Sequence, residues 1–351
     1  MKILSLFDWM ACWYEALLRA WIKIDKYYAS EIDKYAIQIA TKNHPDIIEI
    51  WDVTKVRYST PDFDNWWEYL CNESWIVWKW PIDLLIWGSP CQWFSMAWKM
   101  LNFDDPRSKL FFEFVRLLRE IKPKYFLLEN VKMKKEWQDI ISRELWVEPI
   151  EINSSLVSAQ NRRRLYRTNI PNVSQPKDKW ILLKDILEEN VDEKYVLDER
   201  SIKNMNRKFW SKWKIYEDTG VKANTITASM WAGWWNVPCL LEIREWELRV
   251  RQATKQWYIV ANDGDGISLA YPNSTTRRGR VIHQKSNTIT TEWESYAYSD
   301  SRIRKLTPIE CERLQTLPDN YTESVSDSQR YKMLGNWWTV DVIAHIFSFI
   351  K

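Results

Sequence analysis

Apolar residues in the first half of the chain fall in short runs that alternate with stretches of helical spacing. Residues 2–7, 27–30, 47–50, 82–86 and 125–129 read as strands, and residues 14–20, 32–43 and 108–122 as helices. In the last of these, Leu110, Phe111, Phe114, Val115, Leu117 and Leu118 recur at helical spacing and form one apolar face. Strand–helix alternation predicts a doubly wound, mostly parallel α/β sheet of Rossmann-like type over residues 1–166. Beyond that the pattern weakens into polar, loop-rich sequence with short β runs at 222–227 and 285–291 and a basic patch, Arg277, Arg278 and Arg280. Residues 167–300 are therefore expected to form a smaller, irregular, β-rich lobe. Regularity returns from residue 301, where Thr307 followed by Pro308 opens a helix. An apolar helix over 339–350 closes the chain, so 301–351 is expected to return to the first domain.

In open α/β sheets ligands bind outside the carboxyl ends of the strands, so the residues that follow each strand carry the functional information. The turn after the first strand contains Phe7, Asp8, Trp9 and Met10. Glu31 ends the second strand, 22 residues after Trp9, where an acid accepts hydrogen bonds from ribose hydroxyls; Asp52 ends the third, where it can hold an adenine amino group. Acids at strand ends also cap helices, but the pair together favours an adenosine-containing cofactor. After the fourth strand comes Gly88-Ser89-Pro90-Cys91-Gln92-Trp93-Phe94-Ser95. A cysteine in a polar, proline-stiffened loop at the ligand edge is placed to act as a thiolate rather than to pack. Glu129 ends the next strand, and an extended segment through Gln160, Arg162 and Arg164 puts those three side chains on one face.

Composition excludes several classes. Five scattered cysteines with no C-x-x-C pair, and only three histidines, indicate neither a disulfide framework nor a metal site. No run of 18 apolar residues appears and the N-terminus reads straight into a strand, which predicts a soluble, intracellular chain with no membrane partner. Net charge is only +3, yet residues 201–300 carry 14 Lys+Arg against 10 Asp+Glu while residues 1–150 carry 20 against 22, a mild pointer to a polyanion.

One feature of composition is abnormal: 25 Trp against 7 Gly, so that tryptophan takes about the 7% share usual for glycine. Many tryptophans fall where backbone geometry asks for glycine, as in Phe7-Asp8-Trp9 and Trp231-Ala232-Gly233-Trp234-Trp235. The expected cause is one codon, UGA read as glycine by the organism and written here as tryptophan; a genuinely tryptophan-rich chain is the alternative.

The motifs Pro90-Cys91-Gln92, Glu129-Asn130-Val131 and Gln160-x-Arg162-x-Arg164 occur in this order, followed by Arg304-Lys305-Leu306-Thr307-Pro308 and by Leu334-Gly335-Asn336-Trp337-Trp338-Thr339-Val340. In these the chain resembles the cytosine-5 DNA methyltransferases, most nearly the branch containing the animal de novo enzymes. The resemblance implies S-adenosylmethionine as cofactor and double-stranded DNA as substrate, with no metal. It implies a covalent adduct of Cys91 on a flipped cytosine, with Glu129, Arg162 and Arg164 assisting. It extends the cofactor set from Phe7, Asp8, Trp9, Met10, Glu31 and Asp52 to Ile32, Val53, Gly88, Pro90, Asn336 and Trp338. It puts DNA contacts on Gln92, Ser95 and Gln160, with Arg277, Arg278 and Arg280 in a target-recognition region. Where the family has glycine this chain has Trp at 9, 93 and 337, while Trp338 matches a true tryptophan. A monomer in the bacterial cytoplasm, associated with the nucleoid, or a phage product serving restriction–modification or phage protection, is the expected setting. A tRNA cytosine-5 methyltransferase and a catalytically dead DNA-binding relative remain alternatives; a nicotinamide-dependent dehydrogenase leaves Cys91, Glu129 and the arginines unexplained.

Overall fold

The computed structural model describes residues 1–59, 69–72, 75–78, 81–88, 106–196, 241–244, 247–253, 258–268, 276, 278–286, 288, 295–299 and 302–351. The chain divides into two compact units, one of Met1–Ile181, Thr288–Thr291 and Pro308–Lys351, the other of Leu182–Asn287 and Glu292–Thr307.

In the first unit the strands are β1 (Lys2–Leu6), β2 (Lys26–Ser30), β3 (Ile48–Glu49), β4 (Arg57–Ser59), β5 (Tyr69–Asn72), β6 (Trp75–Trp78), β7 (Leu84–Gly88), β8 (Tyr125–Asn130), β9 (Ile150–Asn153) and β10 (Arg163–Thr168). Its helices are α1 (Cys12–Arg19), α2 (Lys34–Asn43), α3 (Pro106–Ile121), α4 (Lys135–Leu145), α5 (Pro308–Leu314), α6 (Asp327–Asn336) and α7 (Val340–Phe347). Seven strands make one sheet in the order β3-β2-β1-β7-β8-β10-β9, while β4-β5-β6 form a small antiparallel sheet. Neighbours from β3 to β8 pair in parallel, and β10 runs antiparallel to both β8 and β9. The expected doubly wound sheet is thus present, with one reversed strand.

Every residue of β7 and β8 is buried, as a parallel strand covered on both faces requires. The apolar face of α3 packs there through Phe111, Phe114, Val115 and Leu117, with Leu110 and Leu118 partly buried beside them. Each side chain so buried contributes roughly 1.5–3 kcal/mol. The expected strand over 47–50 shrinks to two residues, although the Ile50 amide still donates to the Ala29 carbonyl.

The expected domain boundary after residue 166 falls inside β10. The chain then stays with the first unit to Ile181: Asn169 accepts from the Phe126 amide, Gln175 donates to the Glu151 carbonyl, and the Lys179 amide donates to the Leu156 carbonyl.

The second unit contains β11 (Leu241–Arg244), β12 (Glu247–Arg251), β13 (Tyr258–Ala261), β14 (Gly266–Ser268), β15 (Val281–Ile282), β16 (Ser295–Ser299) and β17 (Arg302–Lys305). They form two antiparallel sheets, β11-β12-β13 and β15-β14-β16-β17. The run expected at 222–227 lies outside the described residues; of the run expected at 285–291, Ser286 makes a single bridge and no strand spans it among the described residues. Among the described residues no helix is long and apolar enough to cross a membrane, and no group of three or more His, Cys, Asp or Glu is arranged to hold a metal ion.

Candidate active site

Strand order reverses at β1: β2 and β3 lie on one side of it, β7 and β8 on the other. This switch point opens a crevice at the carboxyl ends of the strands. Leu6 pairs in register with Ser30 and with Trp87, and Gly88 with Glu129, so the ends of β1, β2, β7 and β8 stand level along one edge.

The turn after β1 is tight, with Phe7, Trp9 and Ala11 all in left-handed backbone (φ 56°, 58° and 62°). Glu31, just past β2, ties it down. Its Oε2 accepts from the Trp9 amide at 2.9 Å, and its Oε1 from the Ile32 and Asp33 amides at 2.8 Å each. Burial raises the Glu31 carboxyl above the ordinary range, and those three amides pull it back. A carboxylate offers about four lone-pair sites, so one on Oε2 is left for a ribose hydroxyl. Asp52 follows β3 and uses Oδ1 to cap a short turn, accepting from the Thr54 amide and hydroxyl. Ile32 is exposed, Val53 is buried, and Phe7 meets Trp87 with ring centroids 6.0 Å apart.

Two expected cofactor contacts need correction. Asp8 is fully buried and turned inward, where its Oδ1 accepts from the Tyr27 hydroxyl at 2.5 Å. Burial, with the Glu31 charge adding, raises its carboxyl to about 7. Asp8 thus underpins the turn and does not face a ligand. Met10 is likewise buried, and its carbonyl accepts from the Tyr321 hydroxyl at 2.9 Å.

On the other side of the switch point, Gly88 ends β7 three residues before Cys91. A Cβ built on Gly88 would lie 1.8 Å from the ring of Trp338, so the indole occupies the space that a side chain would need. Asn336, half-buried, ends α6. Gln315 fastens the segment after it by donating to the Leu334 and Trp337 carbonyls at 2.8 and 3.2 Å. Pro90, Cys91, Gln92 and Ser95 lie outside the described residues.

Glu129, almost wholly buried, is 3.1 Å from the Arg164 Nε. Burial raises its carboxyl, and the nearby charges of Arg164 and Arg162 oppose that rise. The alternation expected through this segment holds: Gln160 and Arg162 are buried and Arg164 is turned to Glu129, whereas Arg163 is exposed. Neither polar atom of Gln160 has a hydrogen-bond partner among the described residues.

Of the basic patch, Arg277 lies outside the described residues and Arg278 is exposed. Arg280 is 1% exposed, with its guanidinium 3.5 Å from the Ser268 carbonyl and its backbone amide donating to Gln252. It is built into the second unit and is not free to meet DNA, which corrects the expectation for that residue.

One residue that sequence reasoning missed is Arg167. Buried in β10, it donates to Asn130 Oδ1 and the Gln138 carbonyl, both at 3.1 Å, and to the Ser142 hydroxyl at 3.3 Å. Burial lowers its pKa to about 10. It holds the strand end that carries Glu129 against α4. Nothing in residue spacing separates it from the neighbouring arginines, because β10 is covered on both sides by β8 and β9.

Comparison with known proteins agrees with this geometry. Residues 1–141 and 153–351 match the family described as C-5 cytosine-specific DNA methylase. Relatives include the orphan methyltransferase M.SPRI of Bacillus phage SPR, 26% identical over 99% of this chain and 96% of that one. The type II methyltransferase M1.ScrFI of Lactococcus lactis subsp. cremoris is 29% identical over 92% of this chain and 70% of that one. Among solved structures, the Entamoeba histolytica methyltransferase EhMeth aligns with a TM-score of 0.58 at 17% identity, over 99% of this chain and 97% of that one. The S. pombe Dnmt2 methyltransferase aligns with 0.54 at 16%, over 99% and 97%, and these two likenesses speak to the fold. With the family match running through the first unit and across the second, and with Gly88 and Glu129 level along one sheet edge, the chain belongs to the C-5 cytosine-specific DNA methylases.

Proposed function

We propose that this S-adenosylmethionine-dependent DNA cytosine-5 methyltransferase works through a covalent adduct at Cys91, with Glu129, Arg162 and Arg164 completing the site. The observation that carries the proposal is the register pair Gly88–Glu129. It sets the end of β7, three residues before Cys91 in sequence, beside a buried carboxyl that retains its proton more readily than an ordinary glutamate.

Carbon 5 of cytosine is a poor nucleophile until the ring is activated. The Cys91 thiolate bonds to carbon 6 while Glu129 gives its proton to ring nitrogen 3, and the ring electrons move onto carbon 5. Carbon 5 takes the methyl group, whose bond to the donor sulfur breaks with the electron pair left on that sulfur. A base then removes the carbon 5 proton, the Cys91 sulfur–carbon 6 bond breaks to restore the thiolate, and ring nitrogen 3 returns its proton to Glu129. S-adenosylmethionine, when bound, supplies the electrophilic methyl on its sulfonium. Glu31 and Asp52 are the acids to hold its adenosyl part, with Phe7, Trp9, Ile32, Val53, Gly88, Pro90, Asn336 and Trp338 around them. Arg162 and Arg164 stabilise negative charge at the base, and Arg164 also orients Glu129. The base must leave the duplex to reach this edge, at a cost of a few kcal/mol. Gln92, Ser95 and Gln160 contact the DNA around it, and the second unit reads the sequence, with Arg277 and Arg278 on the phosphates.

Relatives named as an orphan phage methyltransferase and a type II methyltransferase support a role in restriction–modification or phage protection, in a bacterial cytoplasm. The test is to incubate the protein with S-adenosylmethionine and either duplex DNA or tRNA, and to quantify 5-methylcytosine after digestion. Methylated duplex DNA is expected; methylation of tRNA alone would overturn the reading.

A further inference from the structure

Five tryptophans stand in left-handed backbone: Trp9, Trp21, Trp51, Trp146 and Trp180, with φ of 58°, 58°, 60°, 58° and 55°. There a Cβ crowds the following carbonyl oxygen, so the conformation belongs to glycine and, less often, asparagine. For a residue as bulky as tryptophan it is an outlier that needs a compensating gain.

None is visible. Trp21, Trp146, Trp180 and Trp51 are 95%, 90%, 77% and 55% exposed, so their indoles bury little. Two of them also occupy helix ends built for glycine. After α1, the Ile22 amide donates to the Leu17 carbonyl and the Trp21 amide to the Leu18 carbonyl, the paired bonds of a Schellman motif with Trp21 at its left-handed position. Trp146 caps α4 in the same conformation (φ 58°, ψ 26°).

Trp9 shows what the side chain does at the site. Its indole Nε1 donates to the Met333 carbonyl at 3.1 Å, and its ring centre lies 5.8 Å from the Lys332 ammonium. The ring therefore reaches from the β1 turn to α6 along the edge where Glu31 presents its remaining lone pair.

A second, independent observation lies beneath that edge. The buried rings of Trp13, Trp337 and Trp338 crowd together, with centroids 4.0 Å apart for Trp13–Trp338 and 3.7 Å for Trp337–Trp338, inside the usual spacing of about 4.5–7 Å. None of their three indole N–H groups has a hydrogen-bond partner among the described residues. Trp338 is the one whose neighbour is fitted to it, through the missing Cβ of Gly88.

We infer that the working form of this protein carries glycine at positions 9, 13, 21, 51, 146, 180 and 337 and tryptophan at 338, and that glycine at 9 clears the edge on which the cofactor lies. One cause covers all seven: a UGA codon decoded as glycine by the organism and written as tryptophan. The backbone part of the inference does not depend on the catalytic reading, since its tests read codons, peptide masses and melting.

The coding DNA is expected to read UGA at all seven positions and UGG at 338, and peptides from the protein made in its own cells to carry glycine there. UGG at positions 9, 21 and 146 overturns the proposal. Replacing the five left-handed tryptophans with glycine should raise the melting temperature of the chain as written by roughly 5–10 °C. Trp137→Gly, inside α4, should lower it. A five-glycine variant that melts no higher than the chain as written also overturns the proposal. Trp9→Gly alone should tighten S-adenosylmethionine binding, measured by calorimetry, by about tenfold or more, equivalent to one step of the affinity scale. Trp21→Gly, remote from that edge, should leave the affinity unchanged; equal gains from both would refute the role given to position 9.

Discussion

Glu129 is buried beside two arginines, and the balance between desolvation and their charge sets how readily it gives up a proton. Glu129→Gln keeps the shape and removes the proton transfer. Turnover should fall by roughly 100-fold or more, the usual worth of a general acid, while cofactor affinity stays the same. Single-turnover kinetics beside calorimetry separates the two effects. Asp8 gives a different test. Its carboxyl is raised from the ordinary 3.8 to about 7, so between those values the native state holds a proton that the unfolded chain has lost. Stability must therefore fall as pH rises through that window. Glu49, raised to about 8 by burial with the charges of Asp8 and Glu31, adds a slope of the same sign. Asp8→Asn keeps an acceptor for Tyr27 and should flatten the decline below about 7, as read by melting temperature against pH; an unchanged slope would contradict the burial argument. At this scale Glu31, Glu129 and Arg164 were legible in the sequence because each sits at a strand end or on an alternating face. The inward turn of Asp8 was not, since that turn depends on Tyr27 across the sheet.

At the scale of elements, strand–helix alternation was enough to place β1, β2, β7, β8 and α3, because a two-residue period and a 3.6-residue period are distinct. What alternation could not give is how α5 and α6 are fastened. Glu312, fully buried in α5, accepts from the Asn320 and Thr322 amides and from Arg330 of α6 at 2.9 Å. Those partners are eight to eighteen residues away along the chain and carry no periodic signal. Arg330→Met would leave the Glu312 charge buried with its cation gone. It should destabilise the fold by about 3–5 kcal/mol, measured by urea unfolding. The double variant Arg330→Met with Glu312→Leu should recover part of that loss. Arg167 is fastened in the same manner to Asn130 and α4, and it too was invisible to spacing.

Over the whole molecule, the chemistry is proposed for the first unit and the variable surface for the second. The division was legible as a loss of pattern after residue 166, but its position was not. Residues 169–181 bind back to the first unit by loop hydrogen bonds that leave no trace in hydropathy. If the second unit holds the DNA phosphates, replacing Arg277 and Arg278 with Ala should weaken duplex binding and reduce the slope of log affinity against log salt by about 1–2, one for each lost contact. Arg280→Ala should instead lower the melting temperature, because that side chain is buried. The most direct test of the account joins the two units in one reaction. Duplex DNA carrying 5-fluorocytosine, whose carbon 5 substituent cannot leave as a proton, is incubated with S-adenosylmethionine and protein bearing glycine at 9, 13, 21, 51, 93, 146, 180 and 337. A denaturation-resistant protein–DNA adduct that maps to Cys91 by peptide mass, and is lost in Cys91→Ser, is the predicted result; an adduct that persists in Cys91→Ser would contradict it.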